Sequence, residues 1–543
     1  MTLDLTGTAK KYKKKIILKN VIKKKINSYK NSSLIFELAK RGDYKNLNYI
    51  PTFKASAIFY VEYNRNINSK ISFLNYWKLK NNNNDIGLLY TIRDELGITI
   101  FRDHIQIINF SYIFDLKKIL TRLKIFNYKG TFEFEFFSTK DLKYSFPALQ
   151  VFYETKNGFS SVHSNQRTFN NITDSLTNNS LNDLQTGFDI YYDKSHFSFL
   201  TFINGPLDLK KNKIEILIIN NKGNKIKKSV TLNYLNKYQV IYLDIRKYIS
   251  INFLLGKKGF CKVISPTKNV FNRIMVGTYS TDLKFSSVTH SYYDCSKTKD
   301  YLNYDLKNKK TYKCYLPFNI VKNTNLDLVF YPIYSKTKLS ADLEITDNKT
   351  KKRKIIKNIF ELKREEKTSR TININSYLKE NEKLNKSYCL NLKSINKKYP
   401  SRFTFGMNYR KNRLGSNISS SMLLNFEKNI NKSTFWGPLI IGDGFDSYIM
   451  LTHYNRQIED NQKGKFNLKI YSNDKLLINK NFNSISPNSL NINVNNLLKT
   501  YNSLIKQKNT EIIWYIIKIK NSNFICNHLH ISKFGAVSAD HSF

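Results

Sequence analysis

The chain has 543 residues, of which 41% are hydrophobic and 14% are aromatic. This length exceeds what one hydrophobic core supports, and it predicts about three to five domains. The apolar content excludes a chain that is disordered throughout. The 37 Phe and 36 Tyr, beside only 19 Gly and 9 Pro, indicate β-strands rather than low-complexity coil.

The charge is strongly basic, with 89 Lys and Arg against 41 Asp and Glu and a net charge of +48. Such an excess is typical of proteins that bind nucleic acid, an anionic membrane or an acidic polysaccharide. A composition bias is the alternative, because Lys, Asn, Ile, Tyr and Phe are the residues that AT-rich codons encode. Lys also outnumbers Arg, whereas specific phosphate recognition usually employs the bidentate guanidinium.

Five cysteines stand without any CxxC pair. This spacing argues against a zinc module and against a fully paired disulfide framework. Cys295 and Cys314 are close enough in sequence to be bridged, and the alternative is that all five are reduced, partly buried thiols.

The first residues lack the pattern of a secretory signal, because Lys19 and Lys23 interrupt the short apolar runs. No window reaches the roughly 18 apolar residues of a membrane-spanning helix. We therefore expect a cytoplasmic protein without a transmembrane segment.

Residues 1–52 form a basic N-terminal arm with lysines crowded between positions 10 and 30. Apolar residues interleave with these lysines, so one interpretation is an amphipathic helix on an anionic membrane. The other is a solvated, mostly disordered arm, because lysine blocks repel one another. Ser33 to Gly42 reads as a short helix with a serine cap and a glycine stop.

Four units with a shared order of features follow the arm. Each begins with an aromatic strand and ends with a Gly/Ser-rich hairpin, and the last three carry a hairpin with a polar turn between. The predicted bounds of the units are 53–170, 187–294, 315–425 and 435–543.

The spacing within the units is nearly constant. It is 91 residues from Phe199 to His290 and 92 from Ile449 to His541, with a longer value in the first unit. A domain-sized repeat with this order predicts an all-β protein of tandem β-sandwiches, Ig-like or jelly-roll-like, arranged as a string rather than a solenoid. An alternative pairs unit one with two and unit three with four in two larger sandwiches, and the sequence leaves open whether the units form a rod or a closed assembly. The architecture resembles the binding and adhesion modules of carbohydrate-linked bacterial proteins.

A His-Ser motif recurs at the unit ends, at His163-Ser164, His290-Ser291 and His541. Imidazole beside a carboxylate is common at ligand and metal sites, and Asp294 or Asp540 would supply that carboxylate. The alternative is a hairpin cap, in which these side chains bond backbone groups at a strand end.

A second histidine pattern lies in the last unit. His528 and His530 are two residues apart on a predicted strand, so they share one face and form a candidate zinc site, with His541 as the third ligand. His453 and His104 are interpreted as ordinary strand residues.

Aromatic residues offer a third kind of site. Trp77, Trp436 and Tyr292-Tyr293 are interpreted as exposed aromatics that stack on sugar rings or bases, whereas most of the 36 Tyr are expected in the cores and rims of the sandwiches. The common nucleotide, zincin and serine-hydrolase motifs do not occur, and no cofactor is predicted.

Three functions follow from these observations. The first is a non-catalytic binding or scaffold protein with a glycan or surface polymer as partner. The second is a nucleic-acid or anionic-membrane binder acting through charge. The third is a metal- or histidine-dependent enzyme with its site in the last unit.

Overall fold

A computed structural model of the chain gives an all-β fold of separate antiparallel sheets. The predicted N-terminal arm lies outside the residues that it describes. Those residues are 53–142, 147–163, 185–206, 208–210, 212–264, 274–293, 303–305, 314–334, 337–362, 365–366, 369–378, 385–394, 398–400, 404–421, 423–424, 434–442, 444–454, 463–500, 510–520 and 524–543.

Units one and two occupy the first half of the described chain. The strands of unit one are β1 (Phe53–Tyr63), β2 (Asn68–Leu74), β3 (Gly87–Asp94), β4 (Thr99–Gln106), β5 (Ser111–Asp115), β6 (Tyr128–Ser138), β7 (Leu149–Thr155) and β8 (Gly158–Val162). Those of unit two are β9 (Gln185–Ile190), β10 (His196–Ile203), β11 (Asn212–Ile219), β12 (Lys225–Leu232), β13 (Val240–Asp244), β14 (Gly259–Ile264), β15 (Met275–Ser280), β16 (Ser286–His290) and the short β17 (Tyr292–Tyr293).

Units three and four complete the chain. The main strands of unit three are β19 (Cys314–Phe318), β20 (Asn325–Phe330), β22 (Leu339–Asp347), β23 (Arg353–Leu362), β25 (Arg370–Asn373), β26 (Lys386–Ser394), β28 (Thr404–Arg410) and β29 (Gly415–Ser421). Its short strands are β18 (Asn303–Asp305), β21 (Ile333–Tyr334), β24 (Glu365–Glu366), β27 (Lys398–Pro400) and β30 (Leu423–Leu424). Unit four contains β31 (Thr434–Ile441), β32 (Phe445–His453), β33 (Lys463–Ser472), β34 (Lys475–Ile485), β35 (Asn488–Asn493), β36 (Glu511–Lys520), β37 (Phe524–Ser532) and β38 (Val537–His541).

All four units share one topology when their main strands are numbered one to eight in chain order. Positions 4-3-6-1 form one sheet and positions 5-2-7-8 form the other. In unit one the two sheets are joined where Tyr63 of β1 pairs with Asn68 of β2. The strand order confirms tandem β-sandwich repeats, and it includes unit one, which fits the sequence pattern least well.

Short helical segments interrupt the strands at regular places. Helix α1 (Tyr76–Asn81) lies between β2 and β3. A segment also follows the position-five strand in every unit, namely α2 (Leu116–Arg122), the 3₁₀ turns Ile245–Lys247 and Ile374–Tyr377, and α3 (Val494–Thr500).

An Asp or Asn at the end of each position-five strand accepts a backbone N–H of the segment that follows. These residues are Asp115, Asp244, Asn373 and Asn493. The carboxylate or amide oxygen therefore caps the segment and marks where the strand ends.

The strand β6 shows that neighbouring units pack against one another. Its sequence alternates Phe with Thr or Glu, which predicts one solvated face. Phe132 and Phe134 are buried as expected, but Glu133 is buried as well. Glu133 pairs with Arg93 at 2.6 Å, and the Tyr238 ring of unit two covers that guanidinium at 4.1 Å. The face expected to meet water is covered by a neighbouring unit.

Apolar clusters join each unit to two others. One cluster holds core residues of unit one together with Phe199 of unit two and Trp514 of unit four. A second joins Phe260 of unit two to Tyr331 of unit three, and a third joins the core of unit three to Leu529 and other residues of unit four. The first and last units are in contact, so the arrangement closes. The sequence leaves a rod and a closed assembly both open, and the contacts between units decide for the closed one.

Gly277 offers a test of the packing inside a unit. It pairs across the sheet with Phe199, and a Cβ added to Gly277 would lie 2.2 Å from that ring. We expect Gly277→Ala to displace the ring and to lower the free energy of unfolding by about 1–3 kcal/mol in urea titrations.

Gly87→Ala is the matched control. Gly87 also lies in a strand, and nothing is within 4 Å of the place that an added Cβ would occupy. This variant should change the free energy of unfolding by less than about 0.5 kcal/mol. Equal effects of the two substitutions would contradict the packing of Phe199 on Gly277.

Candidate functional site

The position-eight strands of the four units meet at the centre of the arrangement. β8 contacts β16 and β38, and β29 contacts the same two strands, so the four strands form a closed ring. We call β8, β16, β29 and β38 the central ring. Its sequences are rich in Ser, Ala and Gly, and such small side chains let neighbouring backbones approach closely.

Hydroxyl groups connect the four strands of the central ring. Ser160 and Ser286 lie 2.6 Å apart through their Oγ atoms, and Ser161 and Ser538 lie 2.7 Å apart. The Thr289 hydroxyl donates to the Asn417 carbonyl oxygen at 3.2 Å.

The fourth contact between neighbouring strands of the central ring joins β29 to β38. The Ser416 hydroxyl accepts the Ala539 N–H at 2.8 Å and donates to the Ala539 carbonyl oxygen at 3.1 Å. Each ring strand is the edge of its sheet among the described strands, so its outward backbone groups have no ladder partner there. Because buried backbone groups must be hydrogen-bonded, the hydroxyls of Ser416 and Thr289 take the place of that partner for Ala539 and Asn417.

Three histidines converge at the ends of these strands. His163 directly follows β8, His290 ends β16 and His541 ends β38. One ring nitrogen of each lies within 4.8 Å of the others. The His163 ring centroid is 4.7 Å from that of His290 and 4.2 Å from that of His541. We call His163, His290 and His541 the histidine cluster; the first two are buried and the third is half-buried.

Asp540, one of the two carboxylates that the sequence suggests, lies beside the histidine cluster. Its Oδ2 atom lies 2.7 Å from His163 Nδ1 and accepts the His163 backbone N–H at 3.0 Å. Gln150 Nε2 donates to the same oxygen at 3.1 Å. The contact joins unit four to unit one across most of the chain's length.

The other two imidazoles face backbone carbonyls. His290 Nδ1 lies 2.8 Å from the Ser291 oxygen, and His541 Nδ1 lies 3.2 Å from the Ser542 oxygen. Ser291 itself is buried, and its hydroxyl accepts the Ile274 N–H at 3.0 Å. The motif therefore also caps the strand end, in agreement with the alternative interpretation.

Aromatic rings enclose one side of the histidine cluster. Phe543 meets the His163 ring edge-on at 5.8 Å and stacks on Trp436 at 6.2 Å. Trp436 is only 5% exposed and Trp77 is fully buried. The expectation that these two indoles are exposed for sugar stacking is wrong. Trp77 packs on Phe136 inside unit one, and Trp436 is covered by Tyr76 of unit one at 5.0 Å.

Two predicted site residues, Ser164 and Asp294, lie outside what the structure describes, and so do the side chains of Tyr292 and Tyr293. Of the cysteines, Cys261, Cys389 and Cys526 are buried thiols, in agreement with the interpretation of the cysteines as reduced and partly buried. Cys295 and the side chain of Cys314 belong to the undescribed part.

His528 and His530 lie on β37 inside unit four, and both are fully buried. Burial lowers the pKa of each imidazole to about 3. His530 Nδ1 lies 2.9 Å from the Ser447 hydroxyl. Among the described residues, His541 is grouped with His163 and His290, within 4.8 Å of one another. His528 and His530 are not part of that group.

The sequence does not predict that the three histidines, from three different units, lie close together. The recurring His-Ser motif identifies the right residues, and only the closed arrangement places them together. Unit three carries Ser419 and Ser420 in the corresponding stretch, so it offers hydroxyl groups there instead of an imidazole.

His453 provides a test of buried charge in unit four. It is fully buried, stacks on Phe524 at 4.4 Å and lies 3.1 Å from the Ser484 hydroxyl. Burial, reinforced by Lys351, lowers the pKa of His453 to about 4. The unfolded chain, with an imidazole pKa of about 6.5, binds more protons below that pH, so folding stability falls as the pH drops from about 6.5 to about 4.

We expect His453→Phe to remove this part of the pH dependence. Relative to the variant, the wild-type protein should lose roughly 3 kcal/mol of unfolding free energy between pH 7 and pH 4. Urea titrations of both proteins at several pH values measure the difference. A difference that stays constant with pH would contradict a neutral, buried His453.

The sequence and the structure of the chain were compared with those of known proteins. No known protein family matches the sequence, and no curated protein matches it. One similar solved structure is a crystal structure of a tetra-tandem repeat in the extending region of a large adhesion protein, 11% identical over 85% of this chain and 91% of that chain. The TM-score is 0.09, which carries no argument about fold or function. None of the helices in the described ranges has the length and apolar character needed to cross a membrane.

Proposed function

We propose that the protein is a non-catalytic binding scaffold that holds four β-sandwiches in fixed relative orientations. The observation that supports this function is the closed contact of β8, β16, β29 and β38. A closed arrangement gives every unit two neighbours, so no unit turns freely. The outer strands of the four sandwiches then point in set directions, as a multivalent binding surface requires.

The seams between units have the character of permanent interfaces. Units one and four are joined by the apolar group of Phe152, Phe159, Ile440 and Ile512. The buried Trp514 of unit four also donates its indole N–H to Ser72 of unit one at 2.7 Å. Buried aromatic anchors with satisfied polar atoms are typical of stable association rather than of transient contact.

The closed contact of the central ring is tested by substituting a small residue between two of its strands. Ser416 is 1% exposed where β29 meets β38, so Ser416→Phe has no space and also removes both bonds to Ala539. We expect it to separate the units, with cleavage between units by trypsin at least about ten times faster and a larger hydrodynamic radius. Circular dichroism should still report β-structure.

Ser229→Phe is the matched control. Ser229 is exposed on β12, and the same substitution there should leave both measurements unchanged. If Ser416→Phe is as compact and as protease-resistant as this control, the scaffold proposal fails.

A second candidate function is the binding of an acidic polymer, and one feature favours it. The position-four strands β12, β23 and β34 lie at sheet edges and expose lysines, among them Lys225, Lys228 and Lys475. Exposed lysines along an extended edge match the repeating charges of a sulfated glycan or nucleic acid. The alternative is that they prevent edge-to-edge aggregation. The His-Ser motifs are not on this outer surface.

A heparin column separates these interpretations. The triple variant Lys225→Glu, Lys228→Glu, Lys475→Glu should elute at clearly lower salt than the wild-type protein. The control triple variant Lys117→Glu, Lys118→Glu, Lys140→Glu has the same change in net charge at exposed positions of unit one and should shift much less. Equal shifts in the eluting salt concentration would show that net charge alone attracts the protein to heparin, and would contradict a binding site on the edge strands.

A further inference from the structure

We propose that the histidine cluster binds one divalent transition-metal ion, with Zn²⁺ as the first choice, and that this ion cross-links units one, two and four. The inference rests on the scaffold function, because the ligands come from three units that only the closed arrangement brings together. Each of the three units supplies one imidazole.

The donor set suits such an ion. His163, His290 and His541 each place a ring nitrogen within 4.8 Å of the other two. Nitrogens bound to one tetrahedral zinc lie about 2.0–2.1 Å from the metal and so roughly 3.3 Å from one another. The proposal therefore requires the three nitrogens to approach one another by up to about 1.5 Å when the ion binds. Imidazole is a ligand for zinc, copper and nickel rather than for magnesium or calcium.

The hydrogen bonds of the three rings orient them for coordination. Each Nδ1 lies within hydrogen-bond distance of an oxygen that only accepts, namely Asp540 Oδ2 and the carbonyl oxygens of Ser291 and Ser542. In the neutral rings each Nδ1 then carries the proton, so Nε2 is the nitrogen assigned to the proposed ion. Metal-binding histidines have this pattern, with the second nitrogen donating to a carboxylate or a backbone carbonyl.

The surroundings favour a cation. His163, His290 and Asp540 are 6%, 7% and 5% exposed, and a carboxylate held at 2.7 Å from His163 supplies negative charge directly behind one ligand. A buried carboxylate is stabilised by an opposite charge nearby. A 2+ ion held by three neutral imidazoles provides that charge.

Three protein ligands leave one position of a tetrahedral site for water or another small donor. The proposed role is structural: an ion bound only by the closed state stabilises that state in proportion to its occupancy. The expected consequence is that metal removal loosens the contacts among units one, two and four before any unit unfolds.

Metal binding is tested on the full chain after chelation and dialysis. Zn²⁺ competition against a chromophoric chelator should give one site per chain. Variants His290→Ala and His541→Ala should bind at least about 100-fold more weakly, and Asp540→Asn about 10- to 100-fold more weakly. His104→Ala, at a ring that is 88% exposed, is the control and should bind like the wild type.

A measurement on the wild-type protein guards against variants that fail to fold. X-ray absorption of the zinc-loaded chain should show three imidazole nitrogens at about 2.0–2.1 Å. Zinc that remains bound in the triple variant His163→Ala, His290→Ala, His541→Ala, or that is lost only with His528→Phe, overturns the proposal. So does the absence of a stoichiometric site.

Failure of the metal site is distinguishable from failure of the scaffold. A chain that binds no zinc yet stays closed, while Ser416→Phe opens it, refutes the metal and leaves the scaffold standing. An open metal-free chain that closes on zinc addition supports both.

Discussion

The structure depends on the burial of four sheet edges at one centre. An edge strand exposes backbone N–H and C=O groups without ladder partners, and burial of such groups without hydrogen bonds is costly. In the central ring, side-chain hydroxyls supply bonds between neighbouring strands, most clearly where Ser416 both accepts from and donates to the backbone of Ala539. Small polar residues therefore meet two requirements at once: they permit close approach and they satisfy the backbone.

Closure of the ring changes the surroundings of residues far from the centre. Glu62 of unit one becomes buried, and burial raises the pKa of its carboxyl group. It accepts hydrogen bonds from Tyr60 at 2.6 Å and from Tyr279 of unit two at 3.2 Å. At another seam Arg413 of unit three pairs with Asp193 of unit two at 2.8 Å. Polar residues that a separate sandwich would expose thus become part of specific contacts between units.

The sequence predicts the parts of the fold that local pattern determines. Alternation in β6, the polar turns of the hairpins and the repeated order of features all act within one unit, and they predict tandem β-sandwiches. Arrangement of the units is a different matter. The alternation in β6 predicts that Glu133 meets water. The side chains of Glu133 and Trp436 are instead covered by residues distant in sequence, and no local pattern encodes such a partner. For the same reason the recurring histidines are identifiable from the sequence while their convergence is not.

The most direct test of the closed arrangement is a disulfide between units one and four. The Oγ atoms of Ser161 and Ser538 lie 2.7 Å apart in the central ring, so the pair Ser161→Cys, Ser538→Cys should cross-link under mild oxidation, with the joined peptides detected by mass spectrometry. The pair Ser161→Cys, Ser229→Cys, with one partner exposed on β12, should not. Efficient cross-linking of the first pair alone is the predicted result. A folded protein in which residues 161 and 538 do not join, or join no faster than the control pair, would contradict it.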